Sequence, residues 1–241
     1  MNLKKTRTNW SLKMNIIKNL KMNIIENLYE KKFDNFSVKV KMGDLTKEKV
    51  DAVIVPEWYR FSERDGLAKA IIKANGNAKS FDDYDEIAKN TNLQFGDSVV
   101  TDSYSELYKK IIHTVTVLPT KHHQDEEDMV YTAVYNAIME GRKLGLKSFA
   151  FPALNTGMGG GLDLKTSASS ILLGFVNAMH EMRENKDKEE VSASVVLMNE
   201  EALNVFKKEL SCYEQIDSGA VLDLRRINRF GGDIFAVRCD R

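Results

Sequence analysis

The chain has 241 residues, enough for one large domain or one domain with extensions. Its 35 Lys and Arg balance 35 Asp and Glu, so at a formal net charge of +0 the whole chain exerts no long-range pull on nucleic acid or anionic lipid. The two cysteines, Cys212 and Cys239, form no CxxC pair and have no zinc-like spacing to histidine, which excludes a disulfide framework and points to a reducing cytoplasm; no apolar run approaches the roughly 20 residues of a membrane span.

Residues 1–35 are rich in Lys and Asn and contain a near-repeat, Met14-Asn15-Ile16-Ile17-Lys18-Asn19-Leu20 and Met22-Asn23-Ile24-Ile25-Glu26-Asn27-Leu28. Ile17, Leu20, Ile24, Ile25 and Leu28 share one helical face, so an amphipathic helical extension is predicted here. Such a helix can lie on a membrane, serve as a targeting segment, or pack on the domain or a second copy. Glu26 and Glu30 among the lysines, and the lack of a cleavage-site pattern, favour packing.

From Phe36 the pattern changes. Ser37–Met42 alternates and predicts a half-buried strand; Gly43-Asp44-Leu45-Thr46 is a turn. Val50–Val55 is a β-branched run, read as a strand buried on both faces and ended by Pro56. Leu67–Ala74 predicts a helix closed by Asn75-Gly76, and Phe81–Asn92 a polar, helix-bearing surface segment. Strands follow at Gly96–Thr101 and Ile111–Val117, then a long helix over Met129–Leu144 stopped by Gly145. His113 sits in a β-branched run and is read as a core or strand-end histidine; His122 and His123 lie in a charged loop and are given no role.

Phe149–Leu154 is a short apolar strand that runs into Asn155-Thr156-Gly157-Met158-Gly159-Gly160-Gly161, and a helical pattern through Leu164, Ala168, Ile171, Leu172 and Phe175 follows. A strand, a glycine loop and a helix start can aim backbone N–H groups at an anion. The spacing fits neither a Walker loop nor a dinucleotide fingerprint, so a plain tight turn is an equal alternative. Val191–Met198 predicts the last core strand and Glu201–Leu210 the last helix. Residues 212–241 suggest a small hairpin made basic by Arg225, Arg226, Arg229, Arg238 and Arg241. These arginines could touch RNA or phosphate, but a solvated edge strand is favoured.

Alternating strands and helices imply a three-layer α/β/α sandwich with a mixed, largely parallel sheet, whose ligands sit at the carboxyl ends of its strands. The expected division is a helical extension at 1–35, the sandwich at 36–211 and the basic hairpin at 212–241.

The order of segments resembles the macro domain, the ADP-ribose-binding α/β/α module, over roughly Val38–Leu210. The carriers are Gly43–Thr46, Val50–Val55, Gly66–Ile71, Gly96–Thr101, Ile111–Val115 and, the most specific, Pro152-Ala153-Leu154-Asn155-Thr156-Gly157-Met158-Gly159. The resemblance implies that Asp44 reads the adenine amino group with Leu45 beside the ring. It implies that Leu154, Asn155, Thr156, Gly157, Met158, Gly159 and Gly160 wrap the diphosphate, and that Gly66 and Leu67 flank the distal ribose.

Departures gather at that last end. Pro56-Glu57-Trp58-Tyr59 stands where the family has Asn-Ala-Ala-Asn, Arg64-Asp65-Gly66 where it has three glycines, and Ala68 or Lys69 where hydrolytic members carry an acidic residue. Met198 could only pack at the adenosine end. Three expectations remain open. The domain binds ADP-ribose or a related nucleotide without the usual hydrolysis. Or Glu57, Glu63 or Asp65 supplies a base, with Asp65 and Glu63 the catalytic candidates of an ADP-ribosyl or ADP-ribose-phosphate hydrolase. Or Arg64 pairs with Asp65 or Glu63 in a simple lid. The expected partners are ADP-ribose or a related nucleotide and an ADP-ribosylated protein; an RNA-binding or scaffold module is a weaker alternative. No cofactor or metal is expected.

Overall fold

The computed structural model describes residues 27–58, 64–117, 123–157, 161–215 and 221–223. Most of the predicted N-terminal helix, including the near-repeat up to Glu26, lies outside them, as do Glu63, Met158, Gly159, Gly160 and the C-terminal arginines.

Seven strands make one sheet: β1 (Leu28–Phe33), β2 (Phe36–Met42), β3 (Val50–Trp58), β4 (Ser98–Asp102), β5 (Tyr108–Val117), β6 (Ser148–Phe151) and β7 (Val191–Leu197). Their order is β1-β2-β7-β6-β3-β5-β4. The run from β2 to β5 is parallel and the two outer strands are antiparallel, the mixed, largely parallel sheet expected. The helices are α1 (Gly66–Asn75), α2 (Lys79–Asn90), α3 (His123–Lys143), α4 (Leu164–Glu184) and α5 (Glu200–Ser211).

Residue alternation along the strands splits the core in two. Ala52, Ile54, Ile112, Phe149, Phe151, Ala193 and Val195 point to the face covered by α3, α4 and α5. Val53, Val55, Ile111, Ala150 and Val196 point to the other face, with Ala68, Ile71 and Phe81 of α1 and α2. Among the described residues no helix is long and apolar enough to cross a membrane.

Two expectations change. The helical pattern does not continue through Leu28 and Glu30: residues 28–33 are strand β1, folded back on β2 through Asp34-Asn35, with Phe33 opposite Phe36. A two-residue turn with Asp34 at φ 49 sets this hairpin, and long-range pairing outweighs the local helical period. Strand β3 also does not end at Pro56. It runs to Trp58, paired with β5 through Pro56 opposite Thr114 and Glu57 opposite Val115. β6 pairs with β3 only at Ala52 and Val53, so Pro56 stands where one side of the strand has become an edge, a position that tolerates a missing N–H.

Near the C-terminus the two-stranded pairing is Tyr213–Gln215 (β8) with Val221–Asp223 (β9). The predicted second strand at Ile234–Val237 lies outside the described residues.

Candidate functional site

The carboxyl ends of β2, β7, β6 and β3 form one rim. From β6 the chain leaves toward α4 on one face; from β3 it leaves toward α1 on the other. The connections diverge between β3 and β6, and a crevice opens where strand connections part. β6 stops at Phe151 while β3 continues to Trp58, so one wall of the crevice is the exposed side of β3 and the other is the chain after β6.

That second wall is built from the main chain. Leu154 is fully buried and anchors the loop: its carbonyl accepts from Ser167 Oγ at 2.7 Å. Asn155 is 6% exposed and sits at φ 57, the left-handed region that asparagine tolerates. Its Nδ2 donates to the Thr116 carbonyl at 2.7 Å, and its own carbonyl accepts from Leu162 N at 3.1 Å, which closes the loop at its base. Asn155 Oδ1 has no partner among the described residues. Thr156 Oγ1 donates to the Ala153 carbonyl, and Gly157 is exposed with nothing within 4 Å of where a Cβ would stand.

The start of α4 is not an open anion site. Asp163 Oδ1 accepts from Lys165 N at 2.9 Å and Thr166 N at 3.0 Å, and Oδ2 accepts from Thr166 Oγ1. Those donors, the Thr166 amide first, hold the Asp163 carboxyl below its ordinary range. The helix amides are thus already used by a carboxylate, which corrects the expectation that they stand free; what the wall presents is the loop before them.

At the far end of the rim Asp44 caps a short 3-10 turn, Leu45–Lys47. Its Oδ1 accepts from Thr46 N at 3.0 Å and Thr46 Oγ1 at 2.7 Å, and Lys47 Nζ lies 3.1 Å from Oδ2. The Thr46 hydroxyl, then Lys47, lower its pKa, so the group is an acceptor only. Leu45 is turned into the core beneath α1. Next along the rim, Met198 is 89% exposed, an uncovered apolar side chain at the end of β7.

The β3 wall is built from side chains. Glu57 follows Val53 and Val55 on the α1–α2 face, and its Oε1 lies 2.7 Å from His113 Nδ1. His113, in the core as expected, is 0% exposed; its Nε2 lies 3.0 Å from Thr101 Oγ1, which in turn is 2.6 Å from Ser80 Oγ. Tyr84 stacks on the imidazole at 4.6 Å, and Phe81 meets it edge-on. Burial, then the Glu57 charge, pushes the Tyr84 phenol well up.

Among the described residues Arg64 pairs not with Asp65 but with the next helix; Glu63, the other partner of the lid reading, lies outside them. Nη1 pairs with Asp82 at 2.8 Å and Nη2 with Asp85 at 2.6 Å, so the guanidinium ties the start of α1 to α2 and its charge is spent there. Asp65 precedes α1, is exposed and makes no side-chain cap bond; Gly66 follows at φ +54 with open space around it, and Leu67 is half-buried. Among the described residues no group of His, Cys, Asp and Glu could hold a metal ion.

The family model described as Macro domain matches residues 59–171. The macrodomain of Oceanobacillus iheyensis, solved with ADP, superposes with a TM-score of 0.65 at 20% identity over 76% of this chain and 95% of that one, a likeness of fold. The chain is thus similar to macro domains in sequence over residues 59–171 and in fold over about three quarters of its length. A Thermotoga maritima uncharacterized protein is 30% identical over 131 residues, which are 54% of this chain and 22% of that relative's length. An ADP-ribose glycohydrolase of Archaeoglobus fulgidus is 26% identical over 198 residues, 76% of this chain and 98% of that protein.

Within this macro-like fold, the Glu57–His113 contact is the feature that residue-by-residue reading misses. One signal was available: Val53, Val55 and Glu57 keep a period of two straight through Pro56, and His113 pairs with Val55 in register.

Proposed function

We propose that this macro-like domain binds ADP-ribose, or a protein partner carrying it, in the cytoplasm. Adenine lies at the β2 end against Asp44 and Met198, the diphosphate lies over the loop from Asn155 to Gly160, and the distal ribose lies against β3, Gly66 and Leu67. The binding unit is the sandwich of residues 36–211 with β1 added to its edge. Half-buried Cys212 is a free thiol, which fits a reducing compartment.

The reading rests on one observation. At the point where the chain leaves β6 and β3 in opposite directions, a buried Asn155 at φ 57 turns the backbone to an exposed Gly157, where nothing lies within 4 Å of a Cβ and an anion has room to reach the main chain. The spacing along the rim agrees: three inter-strand steps of about 4.8 Å separate β2 from β3, roughly 14 Å, which suits a purine at one end and a second sugar at the other.

Titration calorimetry of the full chain with ADP-ribose, ADP, AMP and a short RNA tests this. Heat is expected with ADP-ribose and ADP, less with AMP and none with RNA. Silence with ADP-ribose removes the assignment; heat with RNA alone moves the function to the basic C-terminal segment. Asp44→Ala should weaken ADP-ribose about tenfold or more, the loss of one charge-assisted hydrogen bond, and leave inorganic pyrophosphate unaffected.

A further inference from the structure

Strand β1 is the last strand on its side of the sheet, and no described strand pairs with its outer edge. Met42 N donates to the Asn27 carbonyl at 3.0 Å, so Asn27 turns its main chain toward β2; by the alternation of an antiparallel ladder, Tyr29, Lys31 and Phe33 do the same. The N–H and C=O groups of Leu28, Glu30 and Lys32 therefore point outward. Six residues in unbroken register on β2 make such an edge a template for another strand. The usual protections are missing, because β1 has no proline and no bulge. A lysine swung over the edge would be another protection, but Lys31 is drawn to the α5 side: its Nζ donates to the Ser211 carbonyl at 3.1 Å and the Tyr213 carbonyl at 2.7 Å and pairs with Glu214 at 2.6 Å. Glu30 and Lys32 stand on the opposite face, in an open polar groove of about 370 Å³ shared with Ser37 and Ser192. Their present partners are Lys39 at 3.6 Å from Glu30 and Glu190 at 3.2 Å from Lys32. Such exposed pairs are worth little and leave both side chains able to turn to a neighbour.

We propose that the β1 edge pairs with the β1 edge of a second copy of the chain, antiparallel about a two-fold axis through Lys31. In that register Glu30 lies opposite Lys32 of the partner subunit and Lys32 opposite the partner's Glu30, and each pair exchanges two main-chain hydrogen bonds. Opposed residues of this kind lie about 5.5 Å apart, so each carboxylate meets an ammonium across the joint. A two-fold axis reverses the strand, so an acid at 30 and a base at 32 make the edge self-complementary. Sliding the strands by two residues sets Glu30 against the partner's Glu30, or Lys32 against the partner's Lys32, and like charges directly opposite are unfavourable. On the other face Lys31 meets the partner's Lys31, but each is already paired with Glu214 of its own chain. The axis also reverses β2, so the two rims open in opposite directions and the joint covers neither. Four main-chain hydrogen bonds and two exposed charge pairs make a small joint, which suits a weak dimer with a Kd on the order of 100 µM.

Sedimentation velocity of the full chain tests this, run from about 1 µM to about 1 mM, a range that brackets such a Kd. A reversible shift from monomer to dimer is expected, weakening as salt is raised. Glu30→Lys and Lys32→Glu, each alone, set like charges opposite one another twice per dimer and should weaken association about tenfold or more. An equimolar mixture of the two variants restores opposite charges at both positions and should associate about as well as the wild type. Recovery in the mixture also shows that both variants are folded. A wild type that stays monomeric throughout the range overturns the proposal. So does a dimer that both variants leave unchanged, which would belong to another surface, and so does a mixture that associates no better than either variant alone. The readout is mass, so the outcome is independent of whether ADP-ribose binds.

Discussion

On the β6 side of the cleft the wall presents main chain, the Asn155 turn and the open Gly157, tied down by Asn155 Nδ2 on the Thr116 carbonyl and Ser167 Oγ on the Leu154 carbonyl. On the β3 side it is held by side chains drawn from β3, β4, β5 and α2, namely Glu57, Thr101, His113, Ser80 and Tyr84. A wall of amides recognises an anion by geometry and accepts few substitutions at the turn that aims it. A wall of side chains can be rewritten one residue at a time while the sheet beneath stays the same. Pro56-Glu57-Trp58-Tyr59, which the resemblance sets against the family's Asn-Ala-Ala-Asn, begins on the second wall.

The first wall breaks most severely at its turn. Asn155→Ala removes the buried bond to the Thr116 carbonyl and forces alanine to φ 57, so a loss of about 2–4 kcal/mol is expected in urea unfolding. Asn155→Gly keeps the backbone conformation free of strain and should cost about half as much. Equal costs for the two would mean that the left-handed turn is not what shapes this wall.

The second wall breaks at its bond. Glu57→Ala strands the buried Nδ1–H of His113 and should cost about 2 kcal/mol, whereas Glu57→Gln keeps an acceptor there and should cost under about 1 kcal/mol. If glutamine costs as much as alanine, the negative charge and not the hydrogen bond holds the ring.

These two breaks also separate what could be read along the chain from what could not. The strands, the helices and the glycine loop are local patterns: period two at Val38–Met42, a β-branched run at Val50–Val55, Asn75-Gly76 closing α1 with Gly76 at φ 71. The pairing of Glu57 with His113 joins residues 56 positions apart, and it depends on parallel register and on Pro56 not ending its strand. Strand β1 escaped notice for a related reason. Leu28 and Glu30 fit a helical face locally, and only the hairpin with β2, reinforced by Lys31 Nζ bonded to the Ser211 and Tyr213 carbonyls, makes the extended form win. Arg64 looked like a charge in the cleft because its partners, Asp82 and Asp85, lie on the next helix.

Gly157 gives a test of the first wall that leaves stability aside. Nothing lies within 4 Å of a Cβ placed there, so Gly157→Val should unfold at the same temperature as the wild type. Its side chain would fill the space an anion needs, and affinity for ADP-ribose should fall at least tenfold, about 1.4 kcal/mol. A variant that binds normally would place the diphosphate elsewhere.

The smallest effect expected is the most specific to how the first wall works. Asp163 caps α4 two residues beyond Gly161, so its charge steadies the helix while opposing any anion bound in the loop. Asp163→Asn keeps a capping oxygen and removes the charge. ADP-ribose should then bind about two- to fivefold more tightly at low ionic strength, and the gain should fade as salt is raised. Stability should move the other way, and only by a few tenths of a kcal/mol at neutral pH, because the carboxylate is exposed and screened. Its folded pKa lies below the ordinary value of 3.8, so its stabilisation is present above that pH and disappears as pH falls through the folded value. Unfolding curves of wild type and Asp163→Asn should therefore differ at pH 7 and converge in acid. A charge that helps the helix and hinders the ligand is what a wall of amides must accept when its helix start is already capped; if the variant gains no affinity, the bound anion does not approach α4 at all.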